Sequence, residues 1–211
     1  MLIGLDFDNT IVCYDKAIAR LADEFFDLPH DLPRTKLALR DFLRETNREA
    51  EWTAFQGEVY GPGLKYAEPF EDSIASMKKL KSLSYRLCIV SHRTKWPYKG
   101  FLYDLHSHAQ EWIERVLLPE NIFEDRSIFF FETKQEKIEA IKQLNCSMFL
   151  DDMPEILENS SFPPATRGIL FKPSDERYGF DDRNIDQSVC RHWADFPSLI
   201  NVLSNKIKKS K

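Results

Sequence analysis

Short apolar runs alternate along the chain with longer stretches in which apolar residues recur at helical spacing. The short runs have the length and the continuous apolar character of strands that are buried on both faces of a parallel sheet. They cover residues 2–5, 86–90, 128–131, 147–150 and 168–171. Strands that alternate with helices in this way indicate βαβ units. We therefore predict an α/β fold, a Rossmann-like parallel sheet of about five core strands flanked by helices.

The chain departs from this alternation directly after the first predicted strand. Between residues 15 and 62 three helical patterns follow one another, interrupted at Pro29 and Pro33 and ended by the sequence Gly61-Pro62-Gly63. This pattern predicts a small α-helical insertion over residues 15–62. The α/β core domain is then expected to comprise residues 1–14 and 63–211.

Composition and charge restrict the classes of function. The chain has 211 residues, of which 43% are hydrophobic, so it contains enough apolar material for a core. Its net charge of −5 gives no electrostatic basis for binding a nucleic-acid polymer. Four scattered cysteines without a CxxC pair indicate free thiols in a reducing compartment. Because no apolar run approaches membrane-spanning length and no signal peptide precedes the first strand, we expect a soluble, cytoplasmic protein without a membrane partner. The oligomeric state stays open.

Polar residues follow three of the predicted strands at the point where each strand ends. They are Asp6 and Asp8 after the first strand, Ser91 after the second, and Asp151 and Asp152 after the fourth. The carboxyl ends of parallel strands open on one side of a sheet, where ligands bind in this class of fold. Carboxylates so close together need a hard cation, and Mg²⁺ suits oxygen ligands combined with a phosphate. By contrast, Asp181 and Asp182 follow no apolar run and are predicted to lie on a surface loop.

The order and spacing of these residues resemble the haloacid dehalogenase (HAD) superfamily of hydrolases. The matching motifs are Asp6-Phe7-Asp8-Asn9-Thr10 as the first, Ser91 as the second, Lys134 or Lys137 as the third, and Asp151-Asp152 as the fourth. Within this superfamily, a second aspartate two residues after the first marks the phosphotransfer enzymes. True dehalogenases lack it, so Asp8 argues against dehalogenation.

The resemblance implies roles for the four aspartates. Asp6 is expected to be the nucleophile that takes up a phosphoryl group, and Asp8 the acid and base. Mg²⁺ is expected to be held by Asp6, the backbone carbonyl of Asp8, and Asp151. Asp152 is expected to be a further ligand or a support for the others.

The resemblance also implies that Ser91 and a lysine bind the phosphoryl oxygens and offset charge in the transition state. Thr133 and Glu136 have the spacing of a capping box, which predicts a helix that begins at Lys134. Lys134 would then lie nearest the strand ends. We therefore expect Lys134, rather than Lys137, to be the phosphate-binding cation.

Further candidates for binding the substrate lie near the second motif and in the insertion. His92 and Arg93 follow Ser91 directly and are candidates for contacts with the phosphate or the leaving group. The insertion lies where members of the superfamily carry a cap that closes over the site. Trp52 and Gln56, one helical turn apart, are the candidate substrate contacts of this cap.

The leading hypothesis is a Mg²⁺-dependent phosphomonoester hydrolase for a small phosphorylated metabolite, either a sugar phosphate or a nucleotide. It would act through an aspartyl phosphate. A phosphomutase is an alternative, because it uses the same two aspartates. A relative of another class would use the fold only as a binding or regulatory module.

Overall fold

The computed structural model of the chain describes residues 1–173 and 189–209. The predicted loop at Asp181 and Asp182 lies outside the described residues. The strands are β1 (Leu2–Leu5), β2 (Val12–Cys13), β3 (Glu68–Pro69), β4 (Arg86–His92), β5 (Ile128–Phe131), β6 (Met148–Asp151), β7 (Arg167–Phe171) and β8 (Val189–Cys190). The helices are α1 (Asp15–Phe25), α2 (Lys36–Glu45), α3 (Glu49–Tyr60), α4 (Ser73–Ser82), α5 (Leu105–Val116), α6 (Lys134–Gln143), α7 (Pro154–Leu157) and α8 (Phe196–Lys209).

A six-stranded sheet confirms the predicted fold class. Its strand order is β5-β4-β1-β6-β7-β8, and all neighbouring strands run parallel. All five predicted strands are present, and β8 adds a short sixth one at the edge. β1 is central, so that Leu5 pairs with Ile89 of β4 and with Leu150 of β6. The ends of β1, β4 and β6 therefore lie side by side.

Helix α6 covers one face of this sheet with an apolar surface. Ile138 and Ile141 are buried there in a cluster with Val90 and Phe149. Phe149 leaves no room for a side chain at position 4, since a Cβ atom there would lie 2.4 Å from its ring. Gly4 thus lets the ring cross the central strand.

The described residues divide into two compact units. The first comprises residues 1–11 and 69–92 together with the described part of 120–211, and it contains the six-stranded sheet. The second comprises Val12–Glu68 and Arg93–Pro119. It holds the predicted insertion of residues 15–62.

The second unit also includes α5, which was predicted to lie in the core domain. The indole Nε1 of Trp112, in α5, donates a buried hydrogen bond of 2.9 Å to the backbone carbonyl of Ala67. An amphipathic pattern shows that a helix has an apolar face but not which neighbour covers it. None of the described helices is both long and apolar enough to span a membrane.

Candidate active site

The first motif forms a tight turn directly after β1. The backbone N–H of Asp6 donates to the carbonyl of Leu150, which fixes the start of the turn against β6. The turn closes where the N–H of Ile11 donates to the carbonyl of Phe7 over 3.0 Å. Asn9 takes a left-handed conformation with φ of 57°, which asparagine tolerates better than most residues. This turn buries the Asp6 side chain and leaves Asp8 partly exposed.

Two side chains from other elements converge on the carboxylate of Asp6. The hydroxyl of Ser91, in β4, donates to Oδ1 of Asp6 over 2.9 Å. The ammonium Nζ of Lys137, in α6, donates to the same oxygen over 2.6 Å. All three residues are buried. The carboxylate is therefore held in one orientation by one neutral and one charged donor.

The fourth motif contributes two further carboxylates. Asp151 ends β6 and is fully buried, and its Oδ1 accepts a hydrogen bond of 2.9 Å from the N–H of Met153. Its Oδ2 lies 2.7 Å from Nζ of Lys137. This contact is an ion pair, and no other side chain or backbone group within the described residues donates to Oδ2. Asp152 follows and is half-buried.

Burial and charge shift the ionisation of this cluster. Burial raises the pKa of Asp6, Lys137 acts to lower it, and the carboxylates of Asp151 and Asp152 raise it further. Burial also acts to lower the pKa of Lys137, but Asp6 and Asp151 outweigh it and raise that pKa above its ordinary value. Lys137 is therefore an ammonium ion, which offsets part of the negative charge.

The cluster of three carboxylates has the ligand type and the charge that a divalent cation needs. Asp6, Asp151 and Asp152 each offer an oxygen, and these oxygens lie within 4.8 Å of one another. Oxygen is the ligand that hard cations such as Mg²⁺ prefer. With Lys137 included, the fully ionised cluster carries a net charge of −2, which one divalent cation neutralises. The charge balance and the type of donor therefore agree.

The predicted preference for Lys134 over Lys137 is wrong as a statement of position. Lys134 is exposed and forms an ion pair with Glu155, whereas Lys137 lies in the carboxylate cluster. The helix nevertheless begins where predicted, with Thr133 as the N-cap and the capping box to Glu136 complete. Side chains of an α-helix point back toward its N-terminus, so a residue of the second turn covers the surface beside the first turn. Lys137 reaches the strand ends for this reason.

The two residues that follow Ser91 have other partners. β4 extends through His92, whose Nε2 donates to the carbonyl of Glu132 over 3.1 Å. Burial lowers the pKa of His92, which favours a neutral imidazole rather than an anion-binding cation. Arg93 is buried in the second unit and donates to the carbonyls of Leu105 and Tyr60. These contacts favour a structural role for Arg93 over the predicted substrate contact.

The two predicted substrate contacts of the insertion differ in burial. Trp52 is buried and packs against Phe55, with ring centroids 6.1 Å apart. Phe55 packs in turn against Phe26 at 4.9 Å. Trp52 is therefore part of the apolar core of the second unit, which does not favour direct contact with a polar substrate. Gln56 is half-buried on the same helix.

Comparison with known proteins identifies the fold but no close relative. No protein-family model and no curated protein matches the chain. A HAD family hydrolase from Deinococcus radiodurans R1, with bound phosphate and sodium, has a TM-score of 0.57 at 10% identity over 94% of each chain. A HAD-superfamily hydrolase of subfamily IA from Geobacter sulfurreducens PCA has a TM-score of 0.56 at 9% identity, covering 94% of this chain and 95% of that one. A protein provisionally named as a phosphatase, from Clostridium difficile, has a TM-score of 0.58 at 12% identity, covering 94% and 97%.

These matches place the chain in a structural class. It is an α/β protein whose candidate site lies at the carboxyl ends of parallel strands. More specifically, it has the fold of the HAD superfamily over nearly its whole length, which confirms the resemblance at the level of the fold.

Proposed function

We propose that the chain is a Mg²⁺-dependent phosphomonoester hydrolase that acts through an aspartyl phosphate on Asp6. The observation that carries the proposal is the convergence of Ser91 and Lys137 on one oxygen of Asp6, beside the carboxylates of Asp151 and Asp152. A nucleophilic carboxylate needs a fixed orientation, and a transferring phosphoryl group needs positive charge and hydrogen-bond donors. The cluster provides all three.

In the first step, a carboxylate oxygen of Asp6 attacks the phosphorus atom of the monoester. A bond forms between that oxygen and phosphorus, while the bond from phosphorus to the leaving oxygen breaks. Asp8, two residues further along the turn, gives a proton to the leaving oxygen, which departs as an alcohol. Ser91 and Lys137 then exchange their bonds to Asp6 for bonds to the phosphoryl oxygens.

In the second step, water attacks the phosphorus atom of the aspartyl phosphate. Asp8 takes a proton from this water, and the bond between phosphorus and Asp6 breaks. Inorganic phosphate leaves, and the carboxylate of Asp6 and the acid form of Asp8 are restored. One residue thus serves as the acid in the first step and as the base in the second.

The cation would be held by Asp6, Asp151, Asp152 and the backbone carbonyl of Asp8. When bound, Mg²⁺ would supply positive charge that lets the carboxylates and the phosphoryl group approach one another. The chain's own contribution is to bury Asp6 and Asp151, so that little bulk water competes with these interactions.

The proposed substrate is a small phosphorylated metabolite, such as a sugar phosphate or a nucleotide, and the helical insertion of residues 15–62 is proposed to act as the cap. A structural neighbour solved with bound phosphate supports phosphate chemistry, although this observation concerns that protein. A phosphomutase is the second candidate, because a neighbour from Thermotoga maritima is provisionally named as a beta-phosphoglucomutase, with a TM-score of 0.54 at 14% identity. The two reactions differ in whether water or a substrate hydroxyl accepts the phosphoryl group.

The test is hydrolysis of p-nitrophenyl phosphate, followed by a panel of sugar phosphates and nucleotides, with and without Mg²⁺. Asp6→Asn preserves the shape of the side chain and removes its charge, so it should abolish turnover. The exposed Asp125, in the same unit, provides a matched control, and Asp125→Asn should keep the wild-type rate. Asp8→Asn should accumulate acid-stable phosphoenzyme that hydroxylamine releases.

Wild-type turnover by Asp6→Asn would refute the assignment of the nucleophile. A wild-type protein that releases no phosphate from any ester with any divalent cation would favour the binding or regulatory module instead. A product that is an isomer of the substrate, formed without net release of phosphate, would favour the phosphomutase.

A further inference from the structure

The turn that carries Asp8 accepts a hydrogen bond from the side chain of Trp193. The indole Nε1 of Trp193 donates a buried hydrogen bond of 2.9 Å to the backbone carbonyl of Thr10. Thr10 is fully buried and lies two residues after Asp8. Its hydroxyl has no hydrogen-bond partner in the part of the chain that the structure describes. The hydroxyl of Thr10 therefore provides no alternative attachment if the hydrogen bond from the indole to the Thr10 carbonyl is lost.

Trp193 is itself fixed by several elements of the same unit. Its own carbonyl accepts a hydrogen bond of 2.6 Å from the hydroxyl of Ser76, in α4. Its ring packs edge-on against Phe196 of α8 at 5.2 Å and lies 5.9 Å from the ring of Phe171 in β7. Only 2% of Trp193 is exposed. Trp193 thus joins α4, through its backbone carbonyl, and β7 and α8, through its ring, to the turn.

Other contacts of the turn lie at its two ends and at Phe7, whose ring packs edge-on against Phe130 with the ring centroids 5.5 Å apart. Asp6 is bonded to β6 through its N–H, and the carbonyl of Ile11 accepts a hydrogen bond of 2.9 Å from the N–H of Phe70. The bond from Trp193 acts between these points, on the residue that precedes Ile11. Removing it would loosen the attachment of the segment that follows Asp8 while leaving these other contacts in place.

We propose that Trp193 is a positioning residue, which holds Asp8 at the leaving oxygen through the carbonyl of Thr10. This inference rests on the proposed function, since it concerns the proton transfer assigned to Asp8. A general acid must lie within hydrogen-bond reach of the atom that it protonates, and a misplacement of about 1 Å can cost about a hundredfold in rate. Trp193 touches neither substrate nor reacting atoms in this scheme and acts through the turn alone.

The test compares Trp193→Phe with a matched variant, Trp112→Phe. Trp112 is equally buried and its indole also donates to a backbone carbonyl over 2.9 Å, but it lies in the other unit. Each substitution keeps an aromatic ring and removes one N–H donor. The two variants therefore lose the same kind of hydrogen bond, and only one of them loses the tether of the turn.

The measured quantity is kcat/KM for two esters, p-nitrophenyl phosphate and β-glycerol phosphate. The first has a leaving group that departs without a proton, whereas the alkoxide of the second needs one. Trp193→Phe should lose about tenfold more activity on β-glycerol phosphate than on p-nitrophenyl phosphate, a part of the roughly 10²–10⁴-fold that a general acid supplies. Trp112→Phe should lose equally on both. An unchanged ratio in Trp193→Phe, or an equal change in both variants, would overturn the proposal.

Amide hydrogen exchange of residues 7–11 provides a second readout that does not depend on turnover. Exchange there should be faster in Trp193→Phe than in the wild type and unchanged in Trp112→Phe. If Trp193→Phe fails to fold, Ser76→Ala replaces it, because this change frees Trp193 from α4 and should shift both readouts in the same direction. A wild type that cleaves neither ester refutes the proposed function, whereas unchanged exchange in a folded variant refutes the positioning role by itself.

Discussion

Replacing Lys137 by methionine removes the one described cation that lies among the buried carboxylates. Lys137 contacts Asp6 at 2.6 Å and Asp151 at 2.7 Å, with 1% of its side chain exposed. Methionine keeps the apolar stem against Phe149, whose ring centre lies 5.4 Å from Nζ. The change therefore isolates the loss of charge from the loss of packing.

The expected losses follow from leaving two buried carboxylates without their cation. Breaking a buried ion pair on one side typically costs about 3–5 kcal/mol. For a chain of this length, one kcal/mol corresponds to a shift in Tm of about 2–4 °C, so Lys137→Met should lower the Tm by about 6–20 °C without Mg²⁺. Loss of one charged contact to the transition state should lower kcat/KM by about a hundredfold or more.

The matched control is Lys134→Met, three residues earlier on the same helix. Lys134 is 45% exposed and its ion-pair partner Glu155 is 59% exposed. A solvated pair of this kind contributes little, so the Tm should change by no more than about 3 °C and kcat/KM by less than about threefold. Thermal unfolding and hydrolysis of p-nitrophenyl phosphate measure both quantities.

Adding Mg²⁺ provides a second comparison between Lys137→Met and the wild type. The carboxylates of Lys137→Met carry more unbalanced charge, so saturating Mg²⁺ should raise its Tm by more than it raises that of the wild type. A loss of activity in Lys134→Met as large as that in Lys137→Met would contradict this role of Lys137. A Lys137→Met variant that keeps both the wild-type Tm and the wild-type kcat/KM would contradict it as well.

Three further predictions concern Ser91, Asp152 and two of the thiols. Ser91→Ala should lower kcat/KM by about 10–100-fold, since it removes a donor from Asp6 and from the phosphoryl group; a loss below twofold would exclude that role. Asp152→Asn should raise the Mg²⁺ concentration for half-maximal rate by about tenfold or more, and an unchanged requirement would remove Asp152 from the cation site. Burial raises the pKa of Cys13 to about 11 and of Cys190 to about 12, so fewer thiolates form at pH 8. Reaction of these two thiols in the native protein should therefore be about tenfold or more slower than after unfolding, and equal rates would contradict their raised pKa values.

The sheet could be predicted because its strands carry a strong local signal. Consecutive apolar residues at β1, β4, β5, β6 and β7 identify strands without knowledge of their neighbours. β8 could not be found in this way, since Val189–Cys190 is too short to show a pattern. A parallel sheet brings the carboxyl ends of its strands together. The position of a polar residue directly after a strand was therefore enough to predict that Asp6, Ser91 and Asp151 lie at one edge of the sheet.

The choice between the two lysines depended on geometry that spacing alone describes poorly. Lys134 lies four residues before Ile138 and seven before Ile141, the spacing of residues on one face of a helix. This spacing favoured Lys134 as the phosphate-binding cation. Lys137 also lies four residues before Ile141, and this i, i+4 relation was the available signal for its burial. A lysine in an apolar stripe is better explained by a buried partner than by exposure, because lysine is rarely buried unless it is paired.

The contact between Trp193 and Thr10 shows where a local pattern stops carrying information. The two residues are 183 positions apart, and each alone looks ordinary, a bulky apolar residue and a turn threonine. Neither residue type nor spacing indicates that the indole donates to one particular carbonyl, since a backbone acceptor has no sequence signature. If that bond aims Asp8, the rate of proton transfer depends on packing around α8 as well as on the motif. Substitutions among Phe171, Phe196 and Trp193 should then change leaving-group dependence although none of them touches the phosphate.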